Sequence, residues 1–234
     1  MVESLAGLIE AVRVDWPTRV AVDGPDAAGK STLAAAIGSV LSGRGRTVIR
    51  ATVDDFQRPR IDRYRRGEYS PEGYYRDSFD YAALRRLLLD PLGPHGDLRY
   101  RTAAFDHRRD TVQPGSVGIA PRDAVLIVDG VFLLRPALAG AWDFSVFVSA
   151  TFEETLRRAR IRDVTLFGSA DEVERRYRRR YIPAQELYLR DARPAERAAV
   201  IVKNDDPGDP SLLVHGRRLP KGHSSHRSSV RGLT

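Results

Sequence analysis

The stretch that most constrains the fold of this chain is residues 24–31, which read G-P-D-A-A-G-K-S. It matches G-x-x-x-x-G-K-[ST], follows the short apolar stretch 19–23 and precedes the alanine-rich stretch 30–41. This pattern is typical of a loop between a buried strand and a helix, where backbone N–H groups surround phosphates at the helix N-terminus. The sequence therefore predicts a strand, a phosphate-binding loop and a helix in that order.

Each residue type in this loop has a chemical reason to be there. Gly24 and Gly29 let the backbone curve around phosphates, Lys30 is expected to reach the β- and γ-phosphates, and the Ser31 hydroxyl is expected to bind Mg²⁺. Thr32 is expected to lie near the α-phosphate, although it could simply begin the helix. The predicted nucleotide-binding set is Gly24, Pro25, Asp26, Ala27, Ala28, Gly29, Lys30, Ser31 and Thr32.

The rest of the chain alternates short apolar strands with helices, which predicts βαβ units and a parallel sheet covered on both faces. The predicted strands are 19–23, 47–53, 125–128, 144–148 and 199–202. The predicted helices are 3–13, 30–41, 81–89, 151–162 and 171–190. Residues 56–78 are rich in Arg, Tyr, Pro and Gly and are expected to be irregular.

Two predicted strands end in acidic residues, and strand ends share one rim of a parallel sheet. Asp129 follows strand 125–128 and is the candidate second ligand of Mg²⁺, although an Asp there could also be a turn residue. Asp54 and Asp55 follow strand 47–53. We favour Asp54 as the base that takes a proton from an attacking hydroxyl, with a turn cap or an arginine partner as the alternative role.

The ordered set of motifs resembles the uridine kinase and phosphoribulokinase branch of phosphate-loop kinases. Besides the loop it comprises V-D-D-F at 53–56, D-S-F-D at 77–80, V-D-G-V-F at 128–132 and R-x-x-R-x-R-D at 157–163. The resemblance implies a P-loop NTPase fold of three αβα layers, with a five-stranded parallel sheet and a helical lid over about residues 155–180. It also implies an ATP- and Mg²⁺-dependent kinase acting on a hydroxyl of a small molecule.

Carried over residue by residue, the family's base falls on Asp54, its metal-side acid on Asp129 and its lid arginine on Arg162. The substrate segment has a loose counterpart at 100–109, where Tyr100 or Phe105, and His107, are candidate acceptor contacts. His107 beside Asp106 could equally belong to a surface turn.

The remaining acceptor positions depart from the family pattern. Tyr74 stands where uridine kinases have a ribose-binding Asp, and Arg176 replaces a lid-helix Gln. The kinase chemistry carries over, but specificity for uridine does not follow from these residues. A nucleoside is the first candidate acceptor, with pantothenate, a riboside or a nucleoside monophosphate as alternatives. A P-loop ATPase without kinase activity is the alternative function.

Arginines are concentrated in the predicted lid, where they could neutralise charge on a transferring phosphoryl group. We select Arg158 and Arg162 as catalytic candidates. For Arg158 the alternative is an ion pair with Glu154, four residues earlier on the same helix.

Charge and composition narrow the possible partners. The net charge of +7 over 234 residues is concentrated after Ser211, where Arg217, Arg218, Lys221, Arg227 and Arg231 occur without acids. We therefore expect a kinase domain over 1–208, a basic disordered tail over 209–234, and no stable nucleic-acid partner. No apolar run could span a membrane and the chain has no cysteine, so a cytoplasmic protein is expected. The oligomeric state stays open.

Overall fold

The computed structural model describes residues 1–113 and 115–215, and its centre is a six-stranded sheet. The order across the sheet is β2-β3-β1-β4-β5-β6, in which the first five strands are parallel and β6 is antiparallel to β5. The strands are β1 (Thr18–Asp23), β2 (Val48–Thr52), β3 (Val125–Gly130), β4 (Phe144–Ser149), β5 (Val200–Lys203) and β6 (Ser211–Val214).

The helices are α1 (Val2–Glu10), α2 (Lys30–Gly43), α3 (Arg60–Arg63), α4 (Tyr81–Leu84), α5 (Phe152–Arg162), α6 (Val164–Phe167), α7 (Ala170–Arg176), α8 (Ile182–Ala192) and α9 (Pro194–Arg197). A π-helical turn extends α4 (Arg85–Leu89), another joins α7 to α8 (Tyr177–Tyr181), and a third lies at Gly73–Asp77. Turns of 3-10 helix occur at Val53–Phe56 and Pro136–Leu138.

Two small antiparallel strand pairs lie between α4 and β3. Arg99–Tyr100 pairs with Gly118–Ile119, and Phe105–Asp106 pairs with Thr111–Val112. They were not expected from the sequence, because strands of two residues are too short to show a periodic pattern.

The sheet is covered on both faces, as the continuous apolar strands predict. Every residue of β1 and β3 is buried. On one face, α1 and α2 pack against side chains such as Val20 and Ile127. On the other, α4 and α8 pack against side chains such as Ala21 and Val128. The predicted three-layer αβα arrangement with five parallel strands is therefore confirmed.

The sequence-based boundary at residue 208 is too early. Residues Ser211–Val214 form the edge strand β6, which pairs with Val200–Lys203. Alternation of polar and apolar residues is weak there, so the strand depends on the backbone hydrogen bonds that β5 offers. The rest of the predicted tail, from 216 to 234, lies outside the described residues.

The predicted lid corresponds to α5, α6 and α7. Thr151 caps α5 and Ser169 caps α7, each by accepting a hydrogen bond from a backbone N–H of its first turn. The buried side chains of these helices, Leu156, Ala159 and Val173, form a small cluster with Ala27 of the phosphate loop. The helical segment thus packs directly against the loop that it is expected to cover.

Candidate active site

The phosphate loop connects β1 to α2, and its shape depends on two glycines. A Cβ on Gly24 would lie 2.2 Å from the carbonyl oxygen of Val148. Gly29 has φ of +98°, and a Cβ there would lie 2.6 Å from Nδ2 of Asn204. No side chain caps the N-terminus of α2. Its backbone N–H groups are therefore left for an anion, as the motif predicts.

Lys30 is buried at the centre of the loop, with its Nζ 2.6 Å from the carbonyl oxygen of Pro25. Burial lowers the pKa of Lys30, and the negative charges of Asp26, Asp23, Asp54 and Asp129 oppose that shift. A buried ammonium surrounded by carboxylates and facing an open helix terminus is suited to bind phosphate oxygens.

The residue before this loop is a buried acid. Asp23 accepts hydrogen bonds from the backbone N–H groups of Gly24 (2.8 Å) and Leu134 (3.1 Å) and from the hydroxyl of Tyr188. Burial raises the pKa of Asp23 to about 6, although these hydrogen bonds and Lys30 lower it. Asp23 therefore joins β1, the segment after β3 and α8 beneath the loop.

Ser31 and Asp129 meet as the sequence predicts. The Ser31 hydroxyl donates a 2.6 Å hydrogen bond to Oδ2 of Asp129, and Arg50 approaches Oδ1 of the same carboxylate at 3.1 Å. The next residue after Asp129 must be a glycine, because a Cβ on Gly130 would lie 2.2 Å from Cγ1 of Val53. A hydroxyl and a carboxylate beside the phosphate loop are oxygen ligands of the kind Mg²⁺ takes, with phosphate oxygens and waters completing the octahedron. The residues present therefore fit a magnesium ion.

Asp54 lies at the end of β2, whose last residue Thr52 pairs with Asp129 in β3. Its side chain is exposed and accepts a 3.3 Å hydrogen bond from Nε2 of Gln57. Its charge contributes to the pKa shifts of Lys30 and Asp26. Burial raises the pKa of the neighbouring Asp55, with a further contribution from Asp54. Of the two acids, Asp54 is thus the accessible one beside the loop.

The candidate acceptor residues are divided by the structure. His107 is close enough to Asp55 for its charge to lower the pKa of that carboxyl, and its carbonyl oxygen accepts a 3.3 Å hydrogen bond from Arg63. Tyr100 lies in the small strand pair, where its ring covers Gly118 so closely that a Cβ there would be 2.7 Å from Cζ. The structure therefore places His107 near Asp55 and packs Tyr100 against Gly118 of the strand pair.

Tyr74 extends from the π-helical turn Gly73–Asp77 to the phosphate loop. Its hydroxyl donates a 3.0 Å hydrogen bond to Oδ2 of Asp26, and its ring contacts those of Phe132 and Tyr181. Burial, assisted by the charges of Asp26 and Asp54, raises the pKa of Tyr74 well above its usual value. The hydroxyl is therefore a neutral donor directed at the loop.

The lid arginines occupy different environments. Arg158 donates to Glu154 (2.7 Å) and to the carbonyl oxygens of Asn204 (2.6 Å) and Asp205 (2.9 Å). The ion pair with Glu154, offered above as the structural alternative, is therefore present. Arg162 binds Asp163, and this hydrogen bond raises the pKa of the Arg162 guanidinium. The positive charge of Arg162 also lowers the pKa of Asp26.

Arg176 lies at the end of the lid helix α7. It pairs with Glu172 (2.8 Å) and with Glu68 (2.5 Å), and its guanidinium covers the ring of Phe167. These contacts connect the lid to the segment after α3. An acceptor contact by Arg176 would need those ion pairs to open.

Several site residues were missed by sequence reasoning. Asn204 donates 2.7 Å to the carbonyl oxygen of Ala28, Gln57 binds Asp54, and Gln185 donates 2.6 Å to Asp26. Asn204 directly follows the last parallel strand, so the strand-end rule that selected Asp54 and Asp129 could have found it. Nothing in the sequence pairs Gln57 or Gln185 with a particular carboxylate.

A cavity of about 370 Å³ opens beside the loop, between α2, α5 and the ends of β4 and β5. Apolar side chains of α2 line one side of it, including Leu33 and Ala36. Arg158, Asn204 and Pro207 line the other side. Its size and mixed lining suit a flat heterocycle attached to phosphates in the loop.

No family model matches the chain. A structure described as a possible uridine kinase from Bacillus stearothermophilus aligns with 86% of this chain and 96% of its own, with a TM-score of 0.66 and 23% identity. Phosphoribulokinase from Rhodobacter spheroides aligns with 81% of this chain and 70% of its own, with a TM-score of 0.57 and 17% identity. The fold is that of the phosphate-loop kinases. The predicted resemblance to the uridine kinase and phosphoribulokinase branch is confirmed at the level of the fold.

A curated sequence relative carries a different name. The pantothenate kinase of Clavibacter michiganensis is 29% identical over 174 residues, which are 70% of this chain and 54% of that protein. The chain thus spans about half the length of this relative. Separately, no helix among residues 1–113 and 115–215 is long and apolar enough to cross a membrane.

Proposed function

We propose that this chain is a kinase that transfers the γ-phosphate of ATP, with Mg²⁺, to a hydroxyl of a small molecule. The observation that carries the proposal is the arrangement of two carboxylates around one lysine. Asp129 contacts Ser31 at the end of β3, while Asp54 follows the neighbouring strand β2, and the charges of both act on Lys30. A second carboxylate in this position suits removal of a proton from an attacking hydroxyl, and the acceptor screen below distinguishes a small-molecule hydroxyl from water.

ATP with Mg²⁺ would supply an activated phosphoryl group. Residues of this chain would bind the phosphates and the metal, orient the acceptor and take its proton. Lys30 and the N-terminus of α2 would hold the phosphates, while Ser31 and Asp129 would hold the metal. Asp54 would orient the acceptor hydroxyl and take its proton. Arg162 would add positive charge from the lid, and the packing of α5 and α7 on Ala27 would limit the access of water.

We propose that the cavity beside the loop holds the base of the nucleotide. Arg158 lines it while it holds the backbone at Asn204 and Asp205. For Arg158 we therefore propose a positioning role, because its guanidinium is already held by Glu154 and two carbonyl oxygens.

The acceptor is proposed to lie between Asp54, Tyr74 and His107, with Tyr100 and Arg176 as outer candidates. A nucleoside remains the first candidate from the motifs, since the segments V-D-D-F and D-S-F-D occur in order. Pantothenate is the second candidate, because the curated relative described above is a pantothenate kinase. No nucleic-acid partner is proposed, and the cytoplasmic location stays a proposal from the sequence.

The direct test is a screen for ADP release with the purified chain, ATP and Mg²⁺ against nucleosides, pantothenate, other ribosides and nucleoside monophosphates. The proposal expects ADP release that depends on one class of acceptor and a product heavier by one phosphoryl group. ATP turnover that is unaffected by every acceptor, or that rises with DNA or RNA, would contradict it.

A further inference from the structure

The carboxylate of Asp26 lies in the phosphate loop, yet its hydrogen bonds come from outside it. Both donors bind the same oxygen, Oδ2: the Tyr74 hydroxyl at 3.0 Å and Nε2 of Gln185 at 2.6 Å. Tyr74 belongs to the π-helical turn Gly73–Asp77 and Gln185 to α8. The side chain is thereby held by two elements outside the loop.

The other carboxylate oxygen of Asp26, Oδ1, has no hydrogen-bond donor within the described part of the chain. Burial raises the pKa of this carboxyl and so does the charge of Asp54, whereas Lys30, Tyr74 and Arg162 lower it. Asp26 is therefore close to the phosphate-binding lysine, the candidate base and the lid arginine at once. Oδ1 is accessible rather than fully buried, so a bound ligand can reach it and donate a hydrogen bond to it in place of water.

The ligand that can supply this donor follows from charge. Phosphate oxygens of a nucleotide are acceptors and carry negative charge, so a carboxylate cannot bind them. A hydroxyl of a neutral acceptor can donate to it. Asp26 is close enough to Asp54 for the charge of Asp54 to raise its pKa, and the charges of both carboxylates act on Lys30.

We propose that Asp26 binds a second, non-reacting hydroxyl of the acceptor, beside the hydroxyl that Asp54 activates. This role rests on the proposed kinase function and deepens it, because it restricts the acceptor to molecules with at least two hydroxyls. Asp26 would then determine specificity, with Tyr74 and Gln185 fixing its rotamer. An acceptor carrying a carboxylate at that point would be excluded by like-charge repulsion.

The test compares acceptors that differ by one hydroxyl. Wild type, Asp26→Ala and Asp26→Asn are assayed with uridine, 2′-deoxyuridine and 3′-deoxyuridine, and with pantothenate and its analogue lacking the secondary hydroxyl. Asp171→Ala, a change at an exposed residue of α7, is the matched control. The Michaelis constants for acceptor and for ATP are measured separately, together with the dissociation constant of ADP.

Wild type is expected to bind the acceptor that lacks the critical hydroxyl about 10- to 100-fold more weakly, the range of one hydrogen bond to a charged group. Asp26→Ala should weaken the full acceptor by a similar factor, bind the deoxy analogue as wild type does, and leave ADP binding within about threefold. The acceptor affinity of Asp26→Asn should fall between those of wild type and Asp26→Ala, because its amide keeps one hydrogen-bond-accepting oxygen.

The results that contradict the proposal are distinct from failure of the kinase function. Asp26 has no such role if the wild type accepts full and deoxy acceptors equally, or if Asp26→Ala keeps the discrimination. The role is also excluded if Asp26→Ala weakens both acceptors and ADP together, which indicates a distorted loop. Absence of transfer by the wild type to any acceptor in the panel rejects the kinase function itself, and the role of Asp26 with it.

Discussion

The hydroxyl of Ser31 donates a 2.6 Å hydrogen bond to Asp129, and this contact joins the first turn of α2 to the end of β3. The two residues are far apart in the sequence, but parallel pairing of β1 with β3 aligns Asp23 with Gly130 and brings the two strand ends together. A hydroxyl and a carboxylate are thereby held side by side next to the phosphate loop. Such preorganisation is what a magnesium site beside a triphosphate requires.

Asp129→Asn should raise the concentration of Mg²⁺ needed for half-maximal activity by about tenfold or more, because an amide lacks the charge that attracts the cation. The measurement is activity against Mg²⁺ at fixed ATP. Asp123→Asn, changed at an exposed residue before β3, is the matched control. An unchanged Mg²⁺ requirement in Asp129→Asn would remove Asp129 from the metal site.

Lys30→Ala should abolish phosphoryl transfer, since the buried ammonium is the cation surrounded by the loop and by four carboxylates. Lys203→Ala removes an exposed lysine of β5 and should keep activity. Steady-state assays of both variants, with circular dichroism to verify folding, make the comparison. Activity of Lys30→Ala within about tenfold of wild type is incompatible with the phosphate-binding role.

Asp54→Asn should lower turnover by about 10²- to 10⁴-fold while ADP binding stays unchanged, because the base acts on the acceptor rather than on the nucleotide. Asp55→Asn is the natural control, since Asp55 is its neighbour in sequence but is half-buried. Pre-steady-state transfer rates and ADP titrations distinguish the two effects. If Asp55→Asn proves the slower variant, the role of base moves from Asp54 to Asp55.

The fold was predictable because its strands are continuous apolar stretches and its phosphate loop is a dense local motif. Asp54, Asp129 and Lys30 could be placed together from the rule that parallel strand ends share a rim. Gln57, Gln185 and Arg50 could not, because their partners Asp54, Asp26 and Asp129 are set by side-chain packing. For Arg176 the motif position predicts an acceptor contact, whereas its ion pairs with Glu68 and Glu172 depend on packing that the motif does not show.

The Asp23 carboxyl should make the folded state less stable as pH rises from about 4 to 7. Burial raises its pKa from 3.8 to about 6 in the folded chain, so the folded state binds more protons in that window. The contribution is complete below pH 3.8, is lost above about pH 6, and amounts to about 3 kcal/mol.

The free energy of unfolding by urea, measured across this pH range, checks the effect of Asp23. In Asp23→Asn the slope should flatten, although the variant should be less stable throughout because its amide N–H faces the donors Gly24 and Leu134. Asp15→Asn, at an exposed position, is the control. A slope in Asp23→Asn equal to that of wild type would show that another group is responsible.

Transfer of the phosphoryl group from ATP to a small-molecule hydroxyl can be measured by following both products at once. ADP and phosphorylated acceptor are quantified in the same reaction by mass spectrometry, using the acceptor class that the ADP-release screen selects. We expect about one phosphorylated acceptor per ADP for wild type and neither product for Lys30→Ala. ADP and inorganic phosphate in equal amounts, with no phosphorylated acceptor, would contradict it.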